Sequence, residues 1–246
     1  MSKKYTLKKI NSTISTNLEI KKILLKNKKI NNYCLSANKQ LKGYGRRNTK
    51  WFSYDGNLHL SILIKPNCNL DIVNQLSFMS AVSIGETLTN INKNINIEYK
   101  WPNDILLNKK KISGIIIETS SYLNKKIKWV IIGIGLNFNK YPKLKDKYFQ
   151  ATSLSKENFL IEKDFFTEVF LKNFFKNYNL WKSSGFNSIK KKWLNKIYKK
   201  KNKIVIRYKN KYLKGRIISL LSNGGLKLET NKKIKNFFLA IKLYEI

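Results

Sequence analysis

The chain has 246 residues, 42% of them hydrophobic and 13% aromatic, with 50 Lys and Arg against 14 Asp and Glu for a formal net charge of +36. That much apolar material excludes a disordered basic tail and can fill the core of one large domain, or of a main domain with a small appendage. No apolar run approaches a membrane span of roughly 18 residues and no apolar stretch backs the first charges as in a signal peptide, so no membrane association is expected and a cytoplasmic site is the default.

Taken in chain order, Asn17 is placed to cap a short helix running to about Asn27, with Leu18, Ile23 and Leu24 inward. Tyr33 to Asn38 reads as a strand that runs into the glycine-bearing loop Gln40 to Lys50. Leu58, Leu60, Ile62 and Ile64 alternate with His59 and Ser61, the pattern of a half-buried strand ended by Pro66. Apolar positions from Ile72 to Ile91 recur at helical spacing, with Gly85 weakening the middle of that helix. Ile97 to Trp101, Lys111 to Glu118 and Lys128 to Asn137 follow as strands, the last two apolar enough for the middle of a sheet. Helices are predicted over Glu162 to Lys182 and Phe186 to Tyr198. Beyond the lysine run Lys199-Lys200-Lys201, short strands over Ile204 to Tyr208, Tyr212 to Leu221, Leu226 to Glu229 and Phe237 to Tyr244 alternate with turns at Lys209-Asn210 and Asn223-Gly224-Gly225. That pattern suits a small β-barrel appended to an α+β domain.

Two cysteines, Cys34 and Cys68, make at most one pair and no metal cluster, which fits a reducing compartment. Only four of the 50 basic residues are Arg, and the lysines are spread along the whole chain, which fits coding DNA drifting toward A and T better than a selected nucleic-acid surface. Against that background the adjacent Arg46 and Arg47 point to a site needing a planar fork for carboxylate or phosphate. Glycines at 43 and 45 let the backbone approach an anion there. In Lys100-Trp101-Pro102-Asn103-Asp104, Pro102 stiffens the chain as it leaves a strand, and a hairpin can bring Asp104 to the same end of the sheet as Lys111. The alternating glycines of Gly133-Ile134-Gly135-Leu136-Asn137 mark close approach of something flat or of another backbone, as tight sheet packing or as ligand contact.

Gly43-Tyr44-Gly45-Arg46-Arg47 leading to Trp51-Phe52-Ser53, Asn57-Leu58 with Ser61, Lys100-Trp101-Pro102-Asn103-Asp104 with Lys111 and Gly114, and Gly133-Ile134-Gly135-Leu136-Asn137-Phe138-Asn139 succeed one another in an order and spacing that resemble the biotin protein ligases. Ser15-Thr16-Asn17 and Ala151-Thr152-Ser153-Leu154 fit the same pattern. The resemblance implies an α+β fold over 1–199, a mixed and mostly antiparallel sheet with flanking helices like that of class II aminoacyl-tRNA synthetases, followed by an SH3-like barrel over 200–246. It implies activation of biotin, the substrate, with ATP and Mg2+ to biotinyl-5′-AMP, then transfer to a lysine of a biotin carboxyl carrier protein such as that of acetyl-CoA carboxylase. Arg46, Lys111 and Asp104 are then the catalytic candidates. Ser15, Thr16, Asn17, Gln40, Tyr44, Gly45, Arg46, Lys111 and Gly114 would bind biotin. Arg46, Trp51, Asn103, Lys111 and Asn137 would bind ATP or the adenylate. No protein metal ligand is implied, and a homodimer is compatible with the resemblance. Tyr44 stands where arginine is frequent and Asn48 where glycine is frequent. Family members that repress transcription carry a DNA-binding domain before the Ser-Thr-Asn segment; with fourteen residues before Ser15, a ligase without repressor function is expected. A lipoate or octanoate ligase is the neighbouring alternative, and a basic nucleic-acid-binding module the alternative from another class.

Overall fold

The computed structural model describes residues 5–121, 126–143, 150–198, 204–208, 211–230, 233–238 and 242–244. Its frame is a sheet in the order β1 (Thr6–Thr13), β2 (Tyr33–Gln40), β3 (Leu58–Ile64), β7 (Ile127–Leu136), β6 (Lys110–Ser121), β5 (Asp104–Leu107), β4 (Ile97–Lys100). Pairing is antiparallel except between β1 and β2 and where the final strand, β12 (Lys242–Tyr244), lies parallel to β6. The mixed, mostly antiparallel sheet with flanking helices is the fold class expected from the sequence.

The sheet is covered on both faces, and this changes the reading of its central strands. On one face α2 (Gln75–Ile91), α3 (Lys163–Ser184) and α4 (Phe186–Asn195) enclose the large core. Phe166, Phe170, Phe174 and Tyr178 fall four residues apart on α3 with successive ring centroids 6.0, 5.9 and 6.5 Å apart, the first and last pairs stacked and the middle one tilted, so one helical stripe supplies an aromatic wall. On the other face α1 (Thr16–Lys26) lays Ile20 and Leu24 over Leu63, Trp129 and Ile131. Each such aliphatic side chain contributes roughly 2 kcal/mol by leaving water. Strand β3 is therefore buried at every position rather than half-buried, its Leu60 and Ile62 facing the large core while Ser61 and Leu63 face α1.

Several elements depart from expectation. Ser15, not Asn17, is the residue at the start of α1, and it makes no side-chain capping bond; Asn17 lies inside the first turn, its amide directed to the sheet. Of the inward residues predicted for α1, Leu24 is buried, but Ile20 takes the central place and Leu18 and Ile23 are half-exposed. Strand β1 was not legible, and β5 forms its own strand between two tight hairpins. At the C-terminus β8 (Ile204–Tyr208), β9 (Lys211–Leu220), β10 (Leu226–Thr230) and β11 (Lys233–Phe237) form a separate antiparallel sheet. The single strand expected over Phe237 to Tyr244 is divided between β11 and β12. The turn at Lys209-Asn210, the run Lys199-Lys200-Lys201 and the expected domain boundary lie outside the described residues. Trp101 Nε1 donates to the Gly224 carbonyl at 3.2 Å, and Gln75 Nε2 to that of Ser222 at 2.5 Å, tying the β9–β10 turn to the main body. Among the described residues no helix is long and apolar enough to cross a membrane.

Candidate active site

Where α1 begins on the sheet, the face it covers continues past Ile131 into a cavity of about 230 Å3. Because side chains alternate along a strand, Gly133 and Gly135 of β7 and Gly114 and Ile116 of β6 follow on that same face and form the floor. A Cβ at Gly133 would sit 2.7 Å from Asn17 Oδ1, one at Gly114 would sit 3.2 Å from the Trp51 ring, and one at Gly135 would strike the indole itself. The flat group that the alternating glycines admit is thus Trp51 of this chain, with the Asn17 amide beside it, and both line the cavity. Trp51 Nε1 is buried without a hydrogen-bond partner, and the Lys111 ammonium lies 5.8 Å from the indole centroid.

One part of the wall is polar without charge. Gln40, closing β2, accepts from the Thr16 backbone N–H at 2.9 Å and from its hydroxyl at 3.0 Å, and donates through Nε2 to Ser53 at 3.1 Å. Ser61 Oγ of β3 lies 2.7 Å from Thr16 Oγ1 and 2.5 Å from Asn17 Oδ1. Ser15, Thr16 and Asn17 are each 3% exposed, so the bonds of Thr16 and Asn17 form with little water competing.

A second part carries charge. The hairpin between β4 and β5 opposes Lys100 to Asp104, the next pairing opposes Asp104 to Gly114, and the ladder is irregular at Ile105 and Leu106. As a result Lys111 Nζ meets Asp104 Oδ1 at 2.6 Å. Asn103 Nδ2 is pinned to the Ile115 carbonyl at 2.7 Å, and its Oδ1 lies 3.5 Å from Arg46 Nη1. Arg46 arrives on the loop, in a single 3-10 turn closed by Thr49 N–H to Arg46 O at 3.2 Å, with Gly45 N–H donating to Thr49 O at 2.7 Å across its base. Burial first, and then the neighbouring charge of Arg47, lower the Arg46 pKa from its ordinary value, with Asp104 opposing. Arg47 itself has a left-handed backbone, φ 53°, and is exposed, so the two arginines diverge and only Arg46 lines the cavity.

The structure therefore brings Ser15, Thr16, Asn17, Gln40, Tyr44, Gly45, Arg46, Trp51, Asn103, Asp104, Lys111 and Gly114 to the walls of one cavity. Asn137 is not among the residues lining this cavity. Its Nδ2 donates to the Thr152 carbonyl at 3.0 Å, while its buried Oδ1 has no hydrogen-bond partner. Glu118 of β6, fully buried, was missed as part of the surroundings of the cavity; the available signal was one charge in the apolar run Ile115 to Ile117, two steps of two beyond Gly114. Among the described residues no cluster of three or more His, Cys, Asp or Glu forms a protein metal site. The arrangement can hold a flat apolar group under Trp51, satisfy neutral donors and acceptors, and neutralise an anion with Arg46 and Lys111.

A model described as the biotin/lipoate A/B protein ligase family matches residues 7–137, a stretch containing every cavity-lining residue. The bifunctional ligase/repressor BirA of Bacillus subtilis is 33% identical over 211 residues, 83% of this chain and 63% of that protein, so the chain spans less than two thirds of this relative's length. A biotin acetyl-CoA-carboxylase ligase of Paracoccus denitrificans is 33% identical over 107 residues, 43% of this chain and 44% of that one. The biotin protein ligase of Aquifex aeolicus, solved with biotin and ATP, superposes with a TM-score of 0.77 at 26% identity, covering 94% of this chain and 95% of the other. With more than half of the chain inside the family match, and the whole cavity wall inside that half, the chain belongs to the biotin/lipoate A/B protein ligase family.

Proposed function

We propose that this protein activates biotin with ATP to biotinyl-5′-AMP, releasing pyrophosphate, and transfers the biotin to one lysine of a biotin carboxyl carrier protein. The observation that carries the reading is the pairing, in one cavity, of a neutral hydrogen-bonding set with two cations. A ureido ring has donors and an acceptor but no charge, and suits Ser15, Thr16, Asn17 and Gln40. Its flat apolar body suits Trp51. A carboxylate and a triphosphate repel each other, and Arg46 and Lys111 can hold both in contact for attack on the α-phosphorus. Asp104, which lies against Lys111 at 2.6 Å, would orient the incoming carrier amine in the second step. Mg2+ would come with the nucleotide, since phosphate oxygens supply most of its ligands and, among the described residues, Asp104 is the one carboxylate lining the cavity. A cytoplasmic setting suits the use of ATP and the free thiols of Cys34 and Cys68.

Purified protein given ATP, Mg2+, labelled biotin and a biotin carrier domain should label the carrier, and no label on a carrier that another biotin ligase does label would remove the proposal. Lys111→Ala and Arg46→Ala should each slow adenylate formation by about 100-fold; unchanged rates in both half reactions would overturn their roles. The family also contains lipoate ligases, whose acyl chain would make no use of the neutral set, so competition by unlabelled biotin and not by lipoate is the expected discrimination.

A further inference from the structure

Glu118 has no place in the chemistry proposed above, yet it is 0% exposed on the cavity face of β6 and is held from two directions. From α1, Asn17 Nδ2 donates to Oε2 at 3.0 Å, and the Lys21 ammonium lies 3.0 Å from the same oxygen. From the glycine-arginine loop, the Tyr44 hydroxyl reaches both carboxylate oxygens at 3.1 Å. An ionised carboxylate only accepts, so it decides which end of the Asn17 amide faces it and leaves Oδ1 toward Ser61. Because no water reaches this carboxylate to replace a lost donor, the bond restrains Tyr44 more firmly than a surface bond would. Tyr44 also bridges Lys50 across the loop, so fixing Tyr44 fixes both arms of the turn that presents Arg46.

We propose that Glu118 is a positioning residue and Tyr44 its latch. Their bond fastens the glycine-arginine loop over the cavity before any ligand arrives, so substrate meets Arg46 already near its working place. The same carboxylate, through Asn17, sets the donor and acceptor pattern offered to the neutral end of the substrate. The consequence for biotin affinity rests on the ligase reading; the restraint on the loop does not.

Tyr44→Phe deletes one hydroxyl and keeps the ring. In the unliganded protein, trypsin should then cut the loop at Arg46, Arg47 or Lys50 about tenfold faster with the global thermal midpoint held, because cleavage follows the local opening equilibrium. The dissociation constant for biotin should rise with it. Tyr44→Arg returns a cationic donor to the same carboxylate and should restore slow cleavage after Arg46, Arg47 and Lys50, each bond scored separately because the substitution itself adds a site at position 44. Equal cleavage of Tyr44→Phe and the parent protein overturns the latch. So does equal lability of these bonds in Tyr44→Phe and Tyr44→Arg, which would show that a donor to Glu118 does not set the restraint. A parent protein that binds no biotin, with Tyr44→Phe still opening the loop, sinks the ligase reading and leaves the latch standing.

Discussion

The chain has one histidine, His59, 1% exposed on β3 with Nε2 donating to the Tyr54 carbonyl at 3.2 Å. Burial pushes its pKa down from 6.5 to about 4; the bond to Tyr54 opposes this and Lys163 adds to it. Unfolding therefore takes up a proton between these two values and none above or below them. The stability held by the neutral ring is complete above pH 6.5 and is lost progressively as the pH falls to about 4. That loss amounts to roughly 3 kcal/mol across the window. Urea unfolding at several pH values should show this slope, and His59→Gln, which keeps an N–H donor but cannot titrate, should flatten it; an equal slope in the variant would assign it to other groups. At this scale the sequence separates roles well where chemistry is local. Arg46 and Lys111 stand out by type and motif, and His59 reads as a packed strand residue. Glu118 does not stand out, because what gives it a role comes from 74 and 101 residues away, at Tyr44 and Asn17. Asn137 closes a motif strand, and only the fold shows that its amide N–H has a partner in the Thr152 carbonyl.

Helix α2 carries Gly85 at its centre, where alanine would ordinarily stabilise by about 1 kcal/mol through backbone entropy and propensity. The packing reverses that sign. A Cβ at Gly85 would collide with the Tyr99 hydroxyl and lie 2.9 Å from Cζ of that ring. Tyr99 cannot retreat: it is 2% exposed, stacks on Trp193 at 6.1 Å, and is tied by backbone bonds to Lys196 and Tyr198. Gly85→Ala should therefore destabilise by about 1 to 3 kcal/mol, the usual cost of overpacking, and a denaturation midpoint at or above the parent's would refute the contact. The same logic explains which elements are legible. Amphipathic α2 and α3 and apolar β3 and β7 announce themselves because burial writes a period into them. In β1 only Leu7, Ile10 and Thr13 are even half-buried, and the strand is held by the backbone ladder to β2 from Thr6 to Thr13, so nothing in its composition alternates. The four residues of β5 sit between hairpins too close to separate by pattern. The glycines of β7 signal a close approach, but only the fold reveals that Trp51 and Asn17 are what approaches.

Fourteen carboxylates cannot neutralise fifty cations, so a one-to-one pairing still leaves 36 positive charges on the molecule. Two charges about 20 Å apart in water repel by only roughly 0.2 kcal/mol, but such pairs number in the hundreds here and the compact state brings them closer than the unfolded chain does. None of this is required by the cavity, whose proposed chemistry uses Arg46 and Lys111, and no single element gathers the surplus. Its expected signature is thermodynamic. At about 10 mM salt the screening length is near 30 Å and spans most of the molecule, while by about 200 mM it is under 10 Å and only near neighbours still repel. The free energy of unfolding in urea, a denaturant without charge, should rise by about 1 kcal/mol or more as NaCl is raised across that range and then level off. A flat or falling curve would mean that the lysines repel as strongly in the unfolded chain as in the folded one. A nucleic-acid-binding module makes the other prediction for the same charges, tight association with an oligonucleotide whose affinity drops steeply over this same range of salt. The diffuse surplus predicts weak association there, alongside salt-dependent stability.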